Sequence, residues 1–587
     1  MSIGILQRSL CSLAVGLTGW ASIEESLAAL PQVPSSQAAT LYSVAATASR
    51  VRNYNLGTLS LRQPDLPAPF TQMPVPLQGI MAVPDGVGPF PVVVILHGRH
   101  SGCHFTQPWS ASIWPCPAGL ETRFDQGFDY LAEKLARQGY LTLAVDLNGA
   151  YTFSYGATAT NYNSLPNQRS LQIIDAHLTR LAAANRGDAV GFGMDLTGKV
   201  DLSRLVLIGH SMGGSAAAVS GLMRQRHTSA EQVTAGLGPV SALLLVAPTP
   251  SGAIDAAPLA YTLPDVPVSV LLGGCDRDIF DFSSLYYYEA AAQTPRQHTV
   301  ASVLIPGANH HFFNRALVED DYSRQLDNAP VCAAQSPLRL SRQAQEDFLV
   351  SYIQDFLATV FAEGNAPIGW AATQTAPDRL YQVPVLTNLS LAAQNQRSLL
   401  NLKPSAPFPA SLHVVGTLSL QQCPALQACD RYFRPRPQFP TVLRLSWQDR
   451  SGRLQVNLPN AAQDMREFDS IQIRLALDST DVLNEGQRQA VAIVLHDRQG
   501  RAARVEIPAL TPALRQFAPD PKWGYRSIPV YPSAVRIPLA QFQGVDLGAI
   551  ATVELLFDQS ERGVLYLADI AVLKSELKNS KNFRRKI

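Results

Sequence analysis

The chain predicts an α/β domain built on a doubly wound, mostly parallel sheet, followed by an all-β sandwich. Three observations carry this reading. From about residue 57 to residue 361, apolar runs alternate with stretches of helical spacing, the pattern of a parallel sheet covered on both faces. Beyond about residue 365 the period changes, and short runs of alternating apolar and polar residues are separated by prolines and Gly/Asn/Asp turns. Between the two halves of the first region, Gly209-His210-Ser211-Met212-Gly213 follows the apolar run Arg204 to Ile208 and precedes the small residues Gly214 to Ala218. That places a G-x-S-x-G pentapeptide where a strand turns sharply into a helix.

Each element follows from its spacing. Pro91 to Leu96 is a buried-strand run, Phe128 to Ala136 has helical spacing and ends at Gly139, and Leu141 to Val145 is the next strand. Leu171 to Leu181 is a helix, and strands follow the pentapeptide at Leu243 to Val246, Val268 to Leu272 and Val300 to Ile305. An amphipathic helix over Ser341 to Phe361 closes the domain, with Phe348, Tyr352, Ile353, Phe356, Leu357 and Phe361 on one side. In the second region, strands are expected at Val442 to Leu445, Ile471 to Leu477, Val491 to Leu495, Val535 to Leu539, Val553 to Phe557 and Val564 to Ile570. No internal repeat or long low-complexity segment is evident.

The chemistry-bearing residues sit at the ends of these strands. A serine at such a turn is held strained with its hydroxyl exposed, and the flanking glycines are needed because a Cβ there would strike the neighbouring strand or helix. Ser211 is therefore the nucleophile candidate. A serine hydroxyl is a weak nucleophile at neutral pH, so an imidazole must take its proton and a carboxylate must hold that imidazole. Asp276 follows the run Val270 to Gly274, and His310 follows Val303 to Asn309, so each lies in a turn directly after a strand. Asp278 is the alternative acid and His311 the alternative base; Asp276 and His310 are favoured because they come first after the strand-end turn. The oxyanion of a tetrahedral intermediate needs fixed donors, and the backbone N–H groups of Arg99, after the strand Pro91 to Leu96, and of Met212, after the nucleophile, are the candidates. His97 reads as a structural histidine bonding that loop. The segment Asn148 to Asn167, rich in Tyr, Asn, Gly and Ala, reads either as a lining of the substrate cleft or as a plain surface loop.

Composition narrows the class. At 587 residues the chain implies two or more domains, and an apolar fraction of 46% suits globular packing. A net charge of +1 supplies no field for nucleic acid or acidic polymers. The one basic cluster, Lys578 to Lys586, reads as a solvated tail. Arg8 followed by the mildly apolar run Leu10 to Ala21, with Ser26-Leu27-Ala28 offering small residues for cleavage, reads as a signal peptide over residues 1–28; an uncleaved anchor is the alternative. Of seven cysteines, Cys11 leaves with that leader, and the remaining six fall as the pairs Cys103 with Cys116, Cys275 with Cys332 and Cys423 with Cys429, one of fifteen connectivities. Disulfides suit an oxidising compartment and agree with export to the periplasm or the medium. Zinc held by His100, Cys103, His104 and Cys116 is the rival reading of that cluster.

Residues from about 57 to 361 resemble the α/β-hydrolase superfamily, on the elbow, the Asp and His turns and the His97-Gly98 loop. Ser, then Asp, then His is that superfamily's chain order. Gly209 to Gly214 is similar to the elbow of cutinase-like polyester hydrolases and lipases of the dienelactone-hydrolase type. His97-Gly98-Arg99-His100 with its two following cysteines, Cys275-Asp276-Arg277-Asp278, and Gly307 to Asn314 resemble a group of exported bacterial hydrolases. Ile550 to Asp558 and Gly563 to Ile570 look like the last strands of galactose-binding-like jelly rolls. That would imply carbohydrate binding, although no aromatic platform is clear and Trp447 fits a core position equally well.

These readings divide the chain into a leader (1–28), an α/β-hydrolase catalytic domain (29–365) and a jelly-roll-like sandwich (366–587). The expected activity is hydrolysis of small or polymeric carboxylic esters by Ser211, His310 and Asp276, with no metal or organic cofactor and no stable membrane insertion after leader cleavage. The alternatives are a peptidase or acyltransferase with the same triad, or a glycan- or partner-binding protein whose hydrolase domain is inactive.

Overall fold

The computed structural model describes residues 51–64, 68, 71–103, 114–152, 165–250, 261–279, 282–322, 332–361, 368–402, 408–423, 441–478, 481–515 and 531–575. The leader, His104, Cys429, the basic tail and most of the Asn148 to Asn167 segment lie outside the described residues.

The first region comprises β1 (Arg52–Arg62), β2 (Gln72–Ala82), β3 (Phe90–Leu96), α1 (Asp129–Ala136), β4 (Leu141–Val145), α2 (Leu165–Asn185), β5 (Val200–His210), α3 (Met212–Arg224), β6 (Ala242–Val246), β7 (Val268–Gly273), α4 (Leu285–Ala292), β8 (Val300–Ile305), α5 (Arg342–Phe361) and β9 (Leu386–Ser390). These strands form one nine-stranded sheet in the order β1-β2-β4-β3-β5-β6-β7-β8-β9. The six strands from β4 to β8 run parallel, while β1, β2 and β9 pair antiparallel at the two sides.

Strand period explains how two helical layers are served at once. Val92, Val94 and Leu96 of β3 join Leu205, Leu207, Leu243 and Leu245 in a core with α2, α3 and α4. Val93 and Ile95, the intervening residues, join Val206, Ile208, Leu244 and Val246 in a second core with α1 and α5. Successive side chains of a strand point to opposite faces, so a run that is apolar at every position is what a doubly covered sheet needs. Helix α5 turns Phe348, Leu349, Tyr352, Ile353, Phe356 and Leu357 into that second layer.

The second region is antiparallel throughout. It comprises β10 (Gln396–Asn401), β11 (Leu412–Val415), β12 (Ser419–Cys423), β13 (Val442–Trp447), β14 (Arg453–Asn457), β15 (Ser470–Leu477), β16 (Val491–Asp497), β17 (Ala502–Ile507), β18 (Ser533–Pro538), β19 (Ile550–Leu556) and β20 (Gly563–Leu573). One sheet runs β12-β13-β20-β15-β18, with β10 also on β20, and the other runs β11-β14-β19-β16-β17. Leu443, Leu445, Ile471, Ile473, Leu565 and Leu567 from the first face share a core with Leu454, Val456, Val491, Ile493, Val553 and Leu555 from the second, giving a β-sandwich. Trp447 lies in this core, its ring stacked on Phe557 at 4.6 Å and its Nε1 donating to the Ser560 carbonyl. It is not a sugar platform.

The two regions share a joint. Residues 386–390, beyond the division at 365, form β9 and pair with β8 of the first sheet. Gln472 of β15 donates to the Leu389 carbonyl (2.8 Å), and Asn388 donates to the Pro532 carbonyl (2.9 Å). The Ser302 and Tyr531 hydroxyls meet at 2.7 Å. Arg474 of β15 is buried, with Nη1 and Nη2 on the two Glu289 carboxylate oxygens of α4 (2.6 and 3.0 Å), Nε on Asp569 (2.7 Å) and its guanidinium over the Tyr288 ring. Among the described residues, no helix is long and apolar enough to cross a membrane.

Candidate active site

Ser211 stands between the last residue of β5 and the first of α3, at φ 56° and ψ −126°. A residue with a side chain is strained in that region, and it stays there only because the surroundings over-determine it. Its N–H donates to the Val246 carbonyl at 2.9 Å, and its own carbonyl accepts from Gly214 (2.9 Å) and Thr249 (3.2 Å). The glycines are a matter of clearance: a Cβ on Gly209 would collide with the Gly213 carbonyl, and one on Gly213 with the Leu96 carbonyl.

The loop leaving β3 passes directly over the serine. A Cβ on Gly98 would strike Ser211 Cβ and lie 2.9 Å from Ser211 Oγ. Arg99 is the next residue along this loop, and Met212 opens α3, where a first-turn N–H has no acceptor within the helix. His97 is buried beneath: its Nε2 accepts from the Leu147 N–H (2.7 Å), so its Nδ1–H donates to the Gly98 carbonyl (2.7 Å). It ties the loop to the end of β4, in the structural role expected of it.

His310 is fully buried at the turn after β8, and its Nδ1 lies 2.7 Å from Asp276 Oδ2. Asp276 is itself held by the Ile279 N–H at 2.6 Å. In the neutral ring, a carboxylate on Nδ1 fixes the tautomer with the lone pair on Nε2, and that buried Nε2 makes no hydrogen bond among the described residues. Burial works against the imidazolium, but Asp276, Asp278 and Asp321 outweigh it and raise the His310 pKa to about 9, so the neutral ring able to accept a proton at Nε2 gains population as the pH rises toward that value. Asp278 sits on the other side of the ring, 3.7 Å from Nε2, with a side chain 47% exposed. The two acids named as alternatives therefore occupy different positions, and Asp276 is the one on Nδ1. His311 is directed elsewhere, with Nδ1 donating to the Glu319 carbonyl at 3.0 Å.

Three supports have no sequence signature. Asp321 accepts from the backbone N–H groups of Arg277 (3.0 Å), His310 (3.2 Å) and His311 (3.1 Å), stapling the acid turn to the base turn. Gln345 of α5 both accepts from the Asn309 N–H (3.0 Å) and donates to the Asn309 carbonyl (2.8 Å). His210, the variable residue inside the elbow, donates from Nε2 to the His310 carbonyl at 3.1 Å, and burial together with the neighbouring histidines holds its pKa well below the usual value. Nothing in a linear reading distinguishes these from ordinary polar residues, because each acts through backbone groups of another loop.

Cys275, the neighbour of Asp276, is bonded to Cys332, and Cys103 is bonded to Cys116. The Cys103–Cys116 bond removes both thiolates from the zinc reading of His100, Cys103, His104 and Cys116, since a disulfide sulfur is not a zinc ligand. Cys423 is also disulfide-bonded, and its expected partner Cys429 lies outside the described residues. The cleft-lining reading of Asn148 to Asn167 falls largely on residues 153–164, which are outside the description as well. No family model and no curated protein sequence matches this chain.

Proposed function

We propose that the protein is an exported serine hydrolase of the α/β-hydrolase superfamily that cleaves carboxylic esters through an acyl-enzyme. The observation that carries the reading is Ser211 at positive φ beneath Gly98, on the same sheet edge as a buried His310–Asp276 pair whose Nε2 makes no hydrogen bond among the described residues. In this mechanism Ser211 Oγ attacks the acyl carbonyl while His310 Nε2 takes its proton. Asp276 holds the ring and stabilises the imidazolium. The Arg99 and Met212 N–H groups receive the oxyanion, and the imidazolium then protonates the leaving alcohol. Water, deprotonated by the same histidine, releases the acid. The disulfides support export.

Hydrolysis of p-nitrophenyl acetate, with wild type set against two acid variants, tests the assignment. Asp276→Asn is expected to lower kcat about 10⁴-fold, because an amide at Nδ1 favours the wrong tautomer. Asp278→Asn should leave kcat within about tenfold, since the charge it removes is half-exposed and screened. The reverse ranking would overturn the assignment. Gly98→Ala should cost about a hundredfold in kcat/KM at unchanged folding, because the added methyl displaces the serine or the donor loop by a fraction of an ångström or more.

A further inference from the structure

Beside the proposed catalytic base lies a cluster that the hydrolytic reading does not use. His100, Asp278 and His311 each place one ligand atom within 4.8 Å of the other two. They come from three different loops, after β3, β7 and β8, so the fold rather than local sequence brings them together. His311 is prepared as a ligand would be. Its Nδ1–H is committed to the Glu319 carbonyl, which leaves the lone pair on Nε2, 3.9 Å from Asp278 Oδ2. Among the described residues, His100 Nε2 is buried and makes no hydrogen bond, a cost that a ligand would remove. The Asp278 and His311 side chains are 47% and 21% exposed, which gives an ion a path from solvent.

We propose that His100, Asp278 and His311 bind a divalent transition-metal ion, zinc being the best match, and that its occupancy blocks His310. Two imidazoles and one carboxylate, with an open fourth position, are a donor set suited to zinc. Ligand atoms on a tetrahedral zinc stand about 3.3–3.5 Å apart, which side-chain rotation reaches from the observed spacing. An ion on Asp278 would stand close to His310 Nε2, which is 3.7 Å from the same carboxylate oxygen. A cation held by that oxygen would stand in the space beside Nε2 through which the serine proton must pass. The binding claim stands on these distances alone; the blocking claim rests on the hydrolase reading.

The test titrates the metal-free full chain, as wild type and as Ser211→Ala, with Zn²⁺ by calorimetry and with Co²⁺ by its visible absorption. One saturable site per chain is expected in both, weakened tenfold or more by His311→Gln and by Asp278→Asn. No saturable site, or affinity unchanged in both variants, overturns the proposal. His100→Gln should weaken binding similarly; should it fail to fold, the other two, on solvent-accessible side chains, decide. One equivalent of Zn²⁺ should suppress fluorophosphonate labelling of Ser211 at least tenfold, and a chelator should restore it. Full-rate labelling with zinc bound overturns the blocking half. Absence of labelling in metal-free, folded protein sinks the hydrolase reading instead and leaves the binding result standing.

Discussion

Ser211→Ala is expected to remove ester hydrolysis and fluorophosphonate labelling together. The loss in kcat should be on the order of 10⁴- to 10⁶-fold, because the nucleophile and its base act as a unit and the remaining donors can do no more than bind. Labelling followed by peptide mapping checks the site directly, and a variant that keeps full activity would move the nucleophile elsewhere. The backbone supplies a second readout. At φ 56° the serine carries strain that glycine would not, worth about 1–3 kcal/mol. Set against the extra freedom glycine has in the unfolded chain, about 0.5–1 kcal/mol, Ser211→Gly should be inactive yet at least as stable as wild type. Ser211→Ala keeps the strain and should gain nothing. A glycine variant clearly less stable than the alanine variant would mean that the turn is not strained.

The second large effect is expected at the joint between the two regions. Arg474 is buried against Glu289 and Asp569, and a guanidinium cannot shed its charge to escape. Burial pushes the Glu289 carboxyl up while Arg474 pulls it down, so Glu289 depends on the arginine to stay ionised and the arginine depends on Glu289 to offset the cost of its buried charge. Glu289→Ala should destabilise the protein by about 3–5 kcal/mol, because it strips the bidentate partner from a charge that has little water. Glu289→Leu combined with Arg474→Leu should recover most of that loss, since the pair itself contributes little beyond a well-packed apolar replacement. Denaturant unfolding of the single and double variants measures both. A shift below about 1 kcal/mol for Glu289→Ala would show that water or Asp569 alone satisfies the arginine.

These two sites differ in how far the amino-acid sequence reveals them. The elbow is legible because its geometry needs particular residues at particular offsets: Gly209 and Gly213 have neighbouring backbone where a Cβ would go. Strands β3, β6, β7 and β8 are legible because burial on both faces leaves nearly every position apolar, with Ser269 in β7 and Ser302 in β8 the polar exceptions. The disulfide pairs Cys103–Cys116 and Cys275–Cys332 match the expected spacing. The Arg474–Glu289 contact is not legible, since 185 residues separate its members and nothing local marks either as paired. Several strands escape for a related reason. Leu412–Val415 is largely exposed although mostly apolar, Ser419–Cys423 is mostly polar, and β9 reads Leu-Thr-Asn-Leu-Ser, where Asn388 bonds the second region rather than water. Helix α2 spans Leu165–Asn185, longer than its apolar spacing over 171–181 suggests, because Asn167 to Ser170 before it are polar and Ala182 to Ala184 after it add little to the apolar periodicity.

Strand β9 also limits how the polypeptide can be taken apart. It seals the open flank of β8, yet it is encoded downstream of the last helix of the region it completes. Severing the backbone after that helix would strand a ribbon of unsatisfied amides and carbonyls on one fragment, inviting self-association, and would leave the other with an orphaned apolar segment. The first sheet thus claims residues up to Ser390, and a transplanted sandwich module would have to begin beyond it.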